Sequence, residues 1–309
     1  MKDLLPIHRK VEARFLEANA HGRDFIMADI HGHYTSVLKL MAAVGFNKKT
    51  DRIFCSGDLV DRGPDPVWAA SLTSEPWFNS TLGNHDLFMV RNVARRQQNE
   101  DKFRSDAFEM GGAWTLAQDQ GTLDVISSEL QKLPHILSVG QGAERFNVVH
   151  GIMLDRDEFL TDHQIDRVNE RSDDPWLIQD LTENRKIWRS SIRESQPGLS
   201  LTYCGHTPLG TMAYNRSHLC LDFGAGHPDW VDQVQRLAFF CHQDKTLWTI
   251  KTNDRYAEPE KDTQAYSRLN IEPSVLPMPD LPKQVHLPAD LPQRLAAAHA
   301  SDSRQVPAR

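Results

Sequence analysis

The sequence predicts an α/β fold built around a mostly parallel sheet, and two observations carry that expectation. Three short apolar runs, Phe25-Ile26-Met27-Ala28, Arg52-Ile53-Phe54-Cys55 and Ser80-Thr81-Leu82, each end in a cluster of polar residues able to hold a ligand. Between them, apolar residues recur at helical spacing, so strand, helix and strand alternate. In open α/β sheets ligands bind beyond the carboxyl ends of the strands, so the three clusters are expected to converge. The densest is Ser56-Gly57-Asp58-Leu59-Val60-Asp61-Arg62-Gly63, with two carboxylates and a guanidinium between glycines.

Taken in order, residues 8–19 place Val11, Phe15 and Leu16 on one helical face, and His21-Gly22 ends the element. The first strand follows at 24–28 and runs into Asp29-Ile30-His31-Gly32-His33. Thr35 or Ser36 is placed to cap a helix carrying Val37, Leu38, Leu40, Met41 and Val44, stopped by Gly45. Pro64 and Pro66 break the chain after the central cluster; a helix over Val67 to Leu72 then leads to a strand at 79–82 and to Gly83-Asn84-His85-Asp86. Residues 87 to about 135 read as charged helices interrupted by Gly111-Gly112, a cap beside the sheet. Apolar runs at 145–149 and 201–204 lead to His150 and His206. Residues 155–195 are polar and helical with loops near Pro175, and 218–223 and 236–250 read as strands completing a second sheet. Beyond Asn253 the chain turns proline-rich, with Pro259, Pro273, Pro277 and Pro279 among others, as expected of an extended appendage.

Composition narrows the function classes. With 309 residues, 39% hydrophobic and 25% charged, the chain has the makeup of a globular protein with a substantial core. No apolar run approaches the ~18 residues of a membrane span, and the N-terminus lacks a signal-peptide core, so a cytoplasmic location without membrane partners is expected. Cys55, Cys204, Cys220 and Cys241 are far apart and sit in apolar runs, which suits buried thiols in a reducing compartment and neither a zinc site nor a disulfide framework. A net charge of −7 argues against nucleic acid as a partner. It leaves an anionic substrate open, because bound divalent cations reverse the local field.

Taken singly, an Asp-x-His or a histidine after a strand is more often an ordinary satisfied residue than a ligand. Together, DIHGH at 29–33, GDLVDRG at 57–63, GNHD at 83–86, VVHG at 148–151 and CGHT at 204–207 resemble the calcineurin-like metallophosphoesterases. Within these the chain is most similar to the phosphoprotein phosphatases of the phage (lambda) type. GGAW at 111–114, Lys186-Ile187-Trp188-Arg189 and LDFGA at 221–225 extend the resemblance over residues 24 to about 250.

The resemblance implies two facing mixed β-sheets flanked by helices. It divides the chain into an N-terminal helical extension at 1–23, a metallophosphatase domain at 24–252 and a tail at 253–309. It also implies two divalent cations: Asp29 and His31 on the first, Asn84, His150 and His206 on the second, and Asp58 bridging. This oxygen and imidazole set suits manganese, with iron or zinc as alternatives, and would lower the pKa of a bridging water toward ~7. A seryl or threonyl leaving oxygen needs a proton donor, which His85 is placed to be, with Asp61 orienting it. Arg62 can fork onto phosphate oxygens, and Arg189, with Arg193 as competitor, is the expected second arginine. His33, His218, His227 and Asp222 read as peripheral, and Trp68, Trp77, Trp114 and Trp176 as packing residues.

The expected activity is therefore hydrolysis of phosphoserine and phosphothreonine in proteins or of small phosphoesters. The enzymatic alternative is a symmetrical diadenosine tetraphosphatase. Such enzymes share GNHD where the phosphoprotein phosphatases read GNHE, but lack the carboxylate corresponding to Asp61. A non-catalytic interaction protein on the same fold is disfavoured by the complete ligand set.

Overall fold

The computed structural model describes residues 10–171, 173–189, 193–227, 234–269 and 271. Its first half runs β1 (Ala13–Leu16), β2 (Asp24–Met27), α1 (Tyr34–Ala43), β3 (Arg52–Cys55), α2 (Pro66–Ser71), β4 (Phe78–Ser80), α3 (Asn84–Arg96), α4 (Glu100–Glu109) and α5 (Gln120–Leu130). The second runs β5 (Ile136–Val139), β6 (Phe146–Val149), β7 (Leu154–Asp155), β8 (Glu158–Phe159), α6 (Asp162–Asp166), α7 (Pro175–Glu183), β9 (Leu201–Cys204), β10 (Ala213–Asn215), β11 (His218–Cys220), β12 (Arg236–Cys241), β13 (Leu247–Lys251) and β14 (Glu260–Asp262).

Two six-stranded mixed sheets form, in the orders β14-β13-β12-β2-β3-β4 and β1-β5-β6-β9-β11-β10, with β7 and β8 a separate hairpin. The alternation of side chains along the strands decides how they pack. Ile26, Phe54, Ala238 and Phe240 of the first sheet share one buried cluster with Leu137, Val139, Phe146, Val148 and Tyr203 of the second. The rings of Phe54 and Phe146 meet across that interface at 5.5 Å, edge to face. The intervening residues Phe25, Met27, Ile53, Cys55, Phe239 and Cys241 lie in the other large cluster, with Val37, Leu40 and Met41 of α1. Strands buried on both faces explain why these runs are apolar throughout and not alternating. All four cysteines are buried and none forms a disulfide. Among the described residues no helix is long and apolar enough to cross a membrane.

Four expectations need correction. Residues 13–16, read as part of a helix, form β1, paired in parallel with β5 from Ala13↔Ile136 to Leu16↔Val139. The fully buried run Ile136–Val139 offers backbone partners that local periodicity cannot reveal, and this long-range pairing overrides it. The N-cap of α1 is His33, with no side-chain cap, in place of Thr35 or Ser36. The segment 236–250 is an antiparallel hairpin that joins β2, through Phe240↔Ile26, and so extends the sheet of the first strands, whereas β11 belongs to the other sheet. The tail begins later than expected, since β14 pairs with β13. Residues 1–9 and 272–309 lie outside the described residues, and with them most of the predicted tail.

Candidate metal and phosphate site

Five strand ends meet at one rim of the sandwich. Three belong to one sheet: β2 delivers Asp29 and His31, β3 delivers Asp58, Asp61 and Arg62, and β4 leads into Asn84 and His85 at the start of α3. The other two belong to the facing sheet, where β6 delivers His150 and β9 delivers His206. Immediately past the strands the backbone turns sharply. Asp29, His31, Asp58, Asp61, Arg62 and His206 all have left-handed φ, between 32° and 72°, a conformation non-glycine residues hold only where surroundings enforce it.

That enforcement is visible in the hydrogen bonds. His31 N donates to Asp58 O (2.9 Å) and Gly32 N to Leu59 O (2.9 Å), tying the first two loops together. The buried carboxylate of Asp86 accepts from Leu59 N (2.9 Å) and Gly83 N (3.1 Å), joining the second loop to the third. Two glycines are required by close approach: a Cβ on Gly83 would lie 2.1 Å from Asp58 Oδ1, and one on Gly205 would lie 1.9 Å from Asp29 Oδ1.

The ligand candidates are oriented before any cation arrives. Carbonyl oxygens only accept, so His31 Nδ1 donates to Val60 O (3.0 Å), His150 Nδ1 to Ser56 O (2.8 Å) and His206 Nε2 to Glu183 O (2.9 Å). This fixes each tautomer and leaves His31 Nε2, His150 Nε2 and His206 Nδ1 facing inward. Asp58 Oδ2 lies between two of them, 3.6 Å from His31 Nε2 and 3.4 Å from His150 Nε2. Asn84 Oδ1 is 2.9 Å from His150 Nε2 and 2.8 Å from His206 Nδ1. Two overlapping groups, His31 with Asp58 and His85, and Asp29 with Asp58 and His150, have donor atoms mutually within 4.8 Å. They share Asp58, as a bridging carboxylate would.

Electrostatics point the same way. Burial and the neighbouring Asp222 push Asp29 well above the usual carboxylate range. Although burial alone would lower it, Asp58 and Asp29 push His150 up to about 10. Burial and His150 press His206 down to about 3, and burial with Arg62 holds His31 well below the ordinary imidazole value. A fully buried cluster that draws a proton onto one histidine while keeping two others neutral is short of positive charge, and divalent cations would supply it. The donor set fits them.

The other polar groups surround this centre. Asp61 Oδ2 accepts from His85 Nδ1 (2.8 Å), and Arg62 reaches His85 Nε2 (2.8 Å) and His31 Nε2 (2.9 Å) through its two terminal nitrogens. The second arginine at the rim is Arg185, with Nη2 2.8 Å from His206 Nε2. That nitrogen cannot both accept from Arg185 and donate to Glu183; we assign the proton to the backbone carbonyl, because Arg185 is an exposed side chain free to turn. Arg189, expected in this role, is exposed in a 3-10 turn and does not line the site, and Arg193 lines a separate groove with Met212 and Arg236. The spacing after Trp188 gave no hint of this; the deciding fact is that α7 ends at Glu183, which brings Arg185 directly over His206. Asp222, read from sequence as peripheral, is buried at the site wall, where burial raises its carboxyl to about 6.

A two-sheet sandwich that gathers carboxylate, imidazole and amide ligands at its rim is the architecture of a metallophosphoesterase. Residues 25–225, more than half of the chain, match the sequence model of the calcineurin-like phosphoesterases, and the chain belongs to that family. Serine/threonine-protein phosphatase 2 of Escherichia coli is 26% identical over 151 residues, 44% of this chain and 62% of the relative. A symmetrical bis(5'-nucleosyl)-tetraphosphatase of Erwinia tasmaniensis is 36% identical over 88 residues, 28% of this chain and 32% of the relative. The chain thus spans less than two thirds of the length of these relatives. Among solved structures, the cold-active protein-tyrosine phosphatase of a psychrophilic Shewanella superposes with a TM-score of 0.50 at 14% identity, covering 82% of this chain and 83% of that one. That likeness is one of fold.

Proposed function

We propose that the chain is a metal-dependent phosphomonoester hydrolase acting on phosphoserine and phosphothreonine in proteins. The observation that carries this reading is the buried pair formed by His85 and Asp61, with Nδ1 and Oδ2 2.8 Å apart. A seryl or threonyl oxygen is a strongly basic leaving group, and a positioned acid contributes typically 10²–10⁴-fold to its departure. Two divalent cations, manganese first among those this donor set suits, would supply a nucleophilic hydroxide near neutrality and neutralise phosphoryl charge.

The remaining work falls to the chain's own groups. Arg62 covers His85 Nε2 and His31 Nε2, and Arg185 stands against His206. Phosphate oxygens drawing both guanidinium groups away leave them as a fork on the substrate. Release of Arg62 exposes His85 Nε2 to take a proton, which it then gives to the leaving oxygen, while Asp61 holds the ring through Nδ1.

The tetraphosphatase reading has several local sequence matches in its favour, each covering 28% of the chain or less, and the motif GNHD. Its leaving group, a nucleoside phosphate, is weakly basic and makes little use of the donor that His85 and Asp61 provide. The Asp86 carboxylate that marks GNHD is occupied by backbone N–H groups, which ties that difference to loop bracing. The deciding experiment is manganese-dependent turnover of a phosphoserine peptide and of diadenosine tetraphosphate side by side, with Asp58→Asn as control. Preference for the peptide, lost in the control, supports the proposal; preference for the dinucleotide moves the function to nucleotide hydrolysis.

A further inference from the structure

We propose that the cap segment Gly111–Trp114 positions the proton donor, with Trp114 as the positioning residue. This rests on the phosphomonoesterase reading above. Asp61 Oδ2 is engaged by His85, and the indole Nε1–H of Trp114, 53 residues away in sequence, donates to the other oxygen, Oδ1, at 2.8 Å. With both oxygens held, the carboxylate cannot rotate, and the imidazole it grips keeps one orientation.

The rest of the segment presses on Asp61 and on its neighbour Arg62. Gly111 O accepts from Arg62 N at 2.9 Å, and a Cβ added to Gly111 would lie 3.1 Å from Arg62 Cγ. A Cβ on Gly112 would lie 3.0 Å from Asp61 Oδ1. Asp61 and Arg62 both hold left-handed φ, 72° and 65°, so the cap braces two strained residues through backbone and side chain together. A packing role for Trp114 predicts equal losses on every substrate when it is changed. A positioning role predicts losses that grow with the basicity of the leaving group, because only those esters depend on the acid.

The test uses the full chain loaded with manganese, and compares a phosphoserine peptide with p-nitrophenyl phosphate, whose aryl oxide leaves without protonation. Trp114→Phe keeps the ring and loses the N–H. The ratio of peptide to aryl turnover is expected to fall about tenfold, as for loss of one hydrogen bond to a charged group, in kcat more than in KM. Gly112→Ala, at a φ of −91° that any residue tolerates, displaces Asp61 with Trp114 intact and is expected to shift the ratio the same way. An unchanged ratio in both variants, or equal loss on both esters, overturns the inference. In the metal-free protein the indole N–H resonance of Trp114 is expected to move in Asp61→Ala; if it does not, the brace is absent whatever the enzyme hydrolyses. Wild-type protein inert toward both esters would instead remove the functional reading itself.

Discussion

Proton release on metal binding tests the electrostatics of the site directly. His150 is pushed up to about 10, against the effect of burial, by Asp58 and Asp29. An imidazole with that pKa is protonated in more than roughly 99% of molecules at about pH 7.5. Its Nδ1 is committed to Ser56 O, so the extra proton sits on the inward-facing Nε2, where a cation would bind. Each cation set must therefore expel at least one proton, and removing it near pH 7 costs on the order of 4 kcal/mol of binding free energy. Manganese affinity is expected to rise about tenfold per pH unit between about pH 7 and 9. Calorimetric titration in two buffers of different ionisation enthalpy counts the protons, and His150→Asn removes one from the count. Because the folded pKa is raised, the metal-free protein has this stabilisation in full below the unfolded value near 6.5 and loses it as pH rises toward 10. Zero proton release, with affinity flat across the window, would refute the claim that crowded carboxylates hold a proton on His150.

Three further outcomes follow from the geometry. Arg185→Ala should weaken competitive inhibition by inorganic phosphate about tenfold while Arg189→Ala stays within about twofold; equal effects would mean that Arg185 is not the second phosphate group. Gly205→Ala puts a methyl group 1.9 Å from Asp29 Oδ1 and 2.5 Å from Ser56 Oγ, so manganese affinity should drop with the far-ultraviolet circular dichroism retained. Unchanged affinity would show that Asp29 is not a ligand. Asp29→Asn keeps an acceptor for His206 N, now 3.0 Å from Oδ2, but removes a carboxyl raised well above its ordinary value by burial and Asp222. At neutral pH that carboxyl destabilises the metal-free fold, so the variant's metal-free unfolding midpoint should rise, and manganese should no longer raise it further; a lower midpoint would contradict this.

The ligand candidates were legible in the sequence because each belongs to a short motif at the end of an apolar run, and loop chemistry at a strand end is local. The strands that end in those motifs were legible for the same reason. What escaped was decided by pairing between distant segments. Nothing near Ala13 shows that Ile136 will accept it into a sheet, and nothing near Phe240 shows that it will lie beside Ile26 and not beside β11. Arg185 and Arg189 lie only four positions apart in the sequence; Arg185, two residues past the end of α7, reaches His206, whereas Arg189 sits in the exposed turn that follows. Trp114 reads as packing because its indole N–H finds Asp61 only when the cap folds back onto the second loop.

The left-handed residues explain why the site is spread over both sheets. A strand end that simply continued would carry its side chain on beside the sheet; a left-handed turn at Asp29, Asp58 or His206 ends the strand and redirects the chain within one residue. Each such turn at a non-glycine residue costs roughly 1–2 kcal/mol, and the buried carboxylates add to that burden. The cost can be met because β2 and β3 on one side, and β6 and β9 on the other, are anchored by the shared apolar cluster between the sheets. Carbonyls of Val60, Ser56 and Glu183 then fix the three imidazoles from outside. An arrangement strained and short of positive charge, yet held in place, gives back part of that energy when cations bind. It follows that metal should stabilise this protein through mass action on the folded state, with little rearrangement of the ligands themselves.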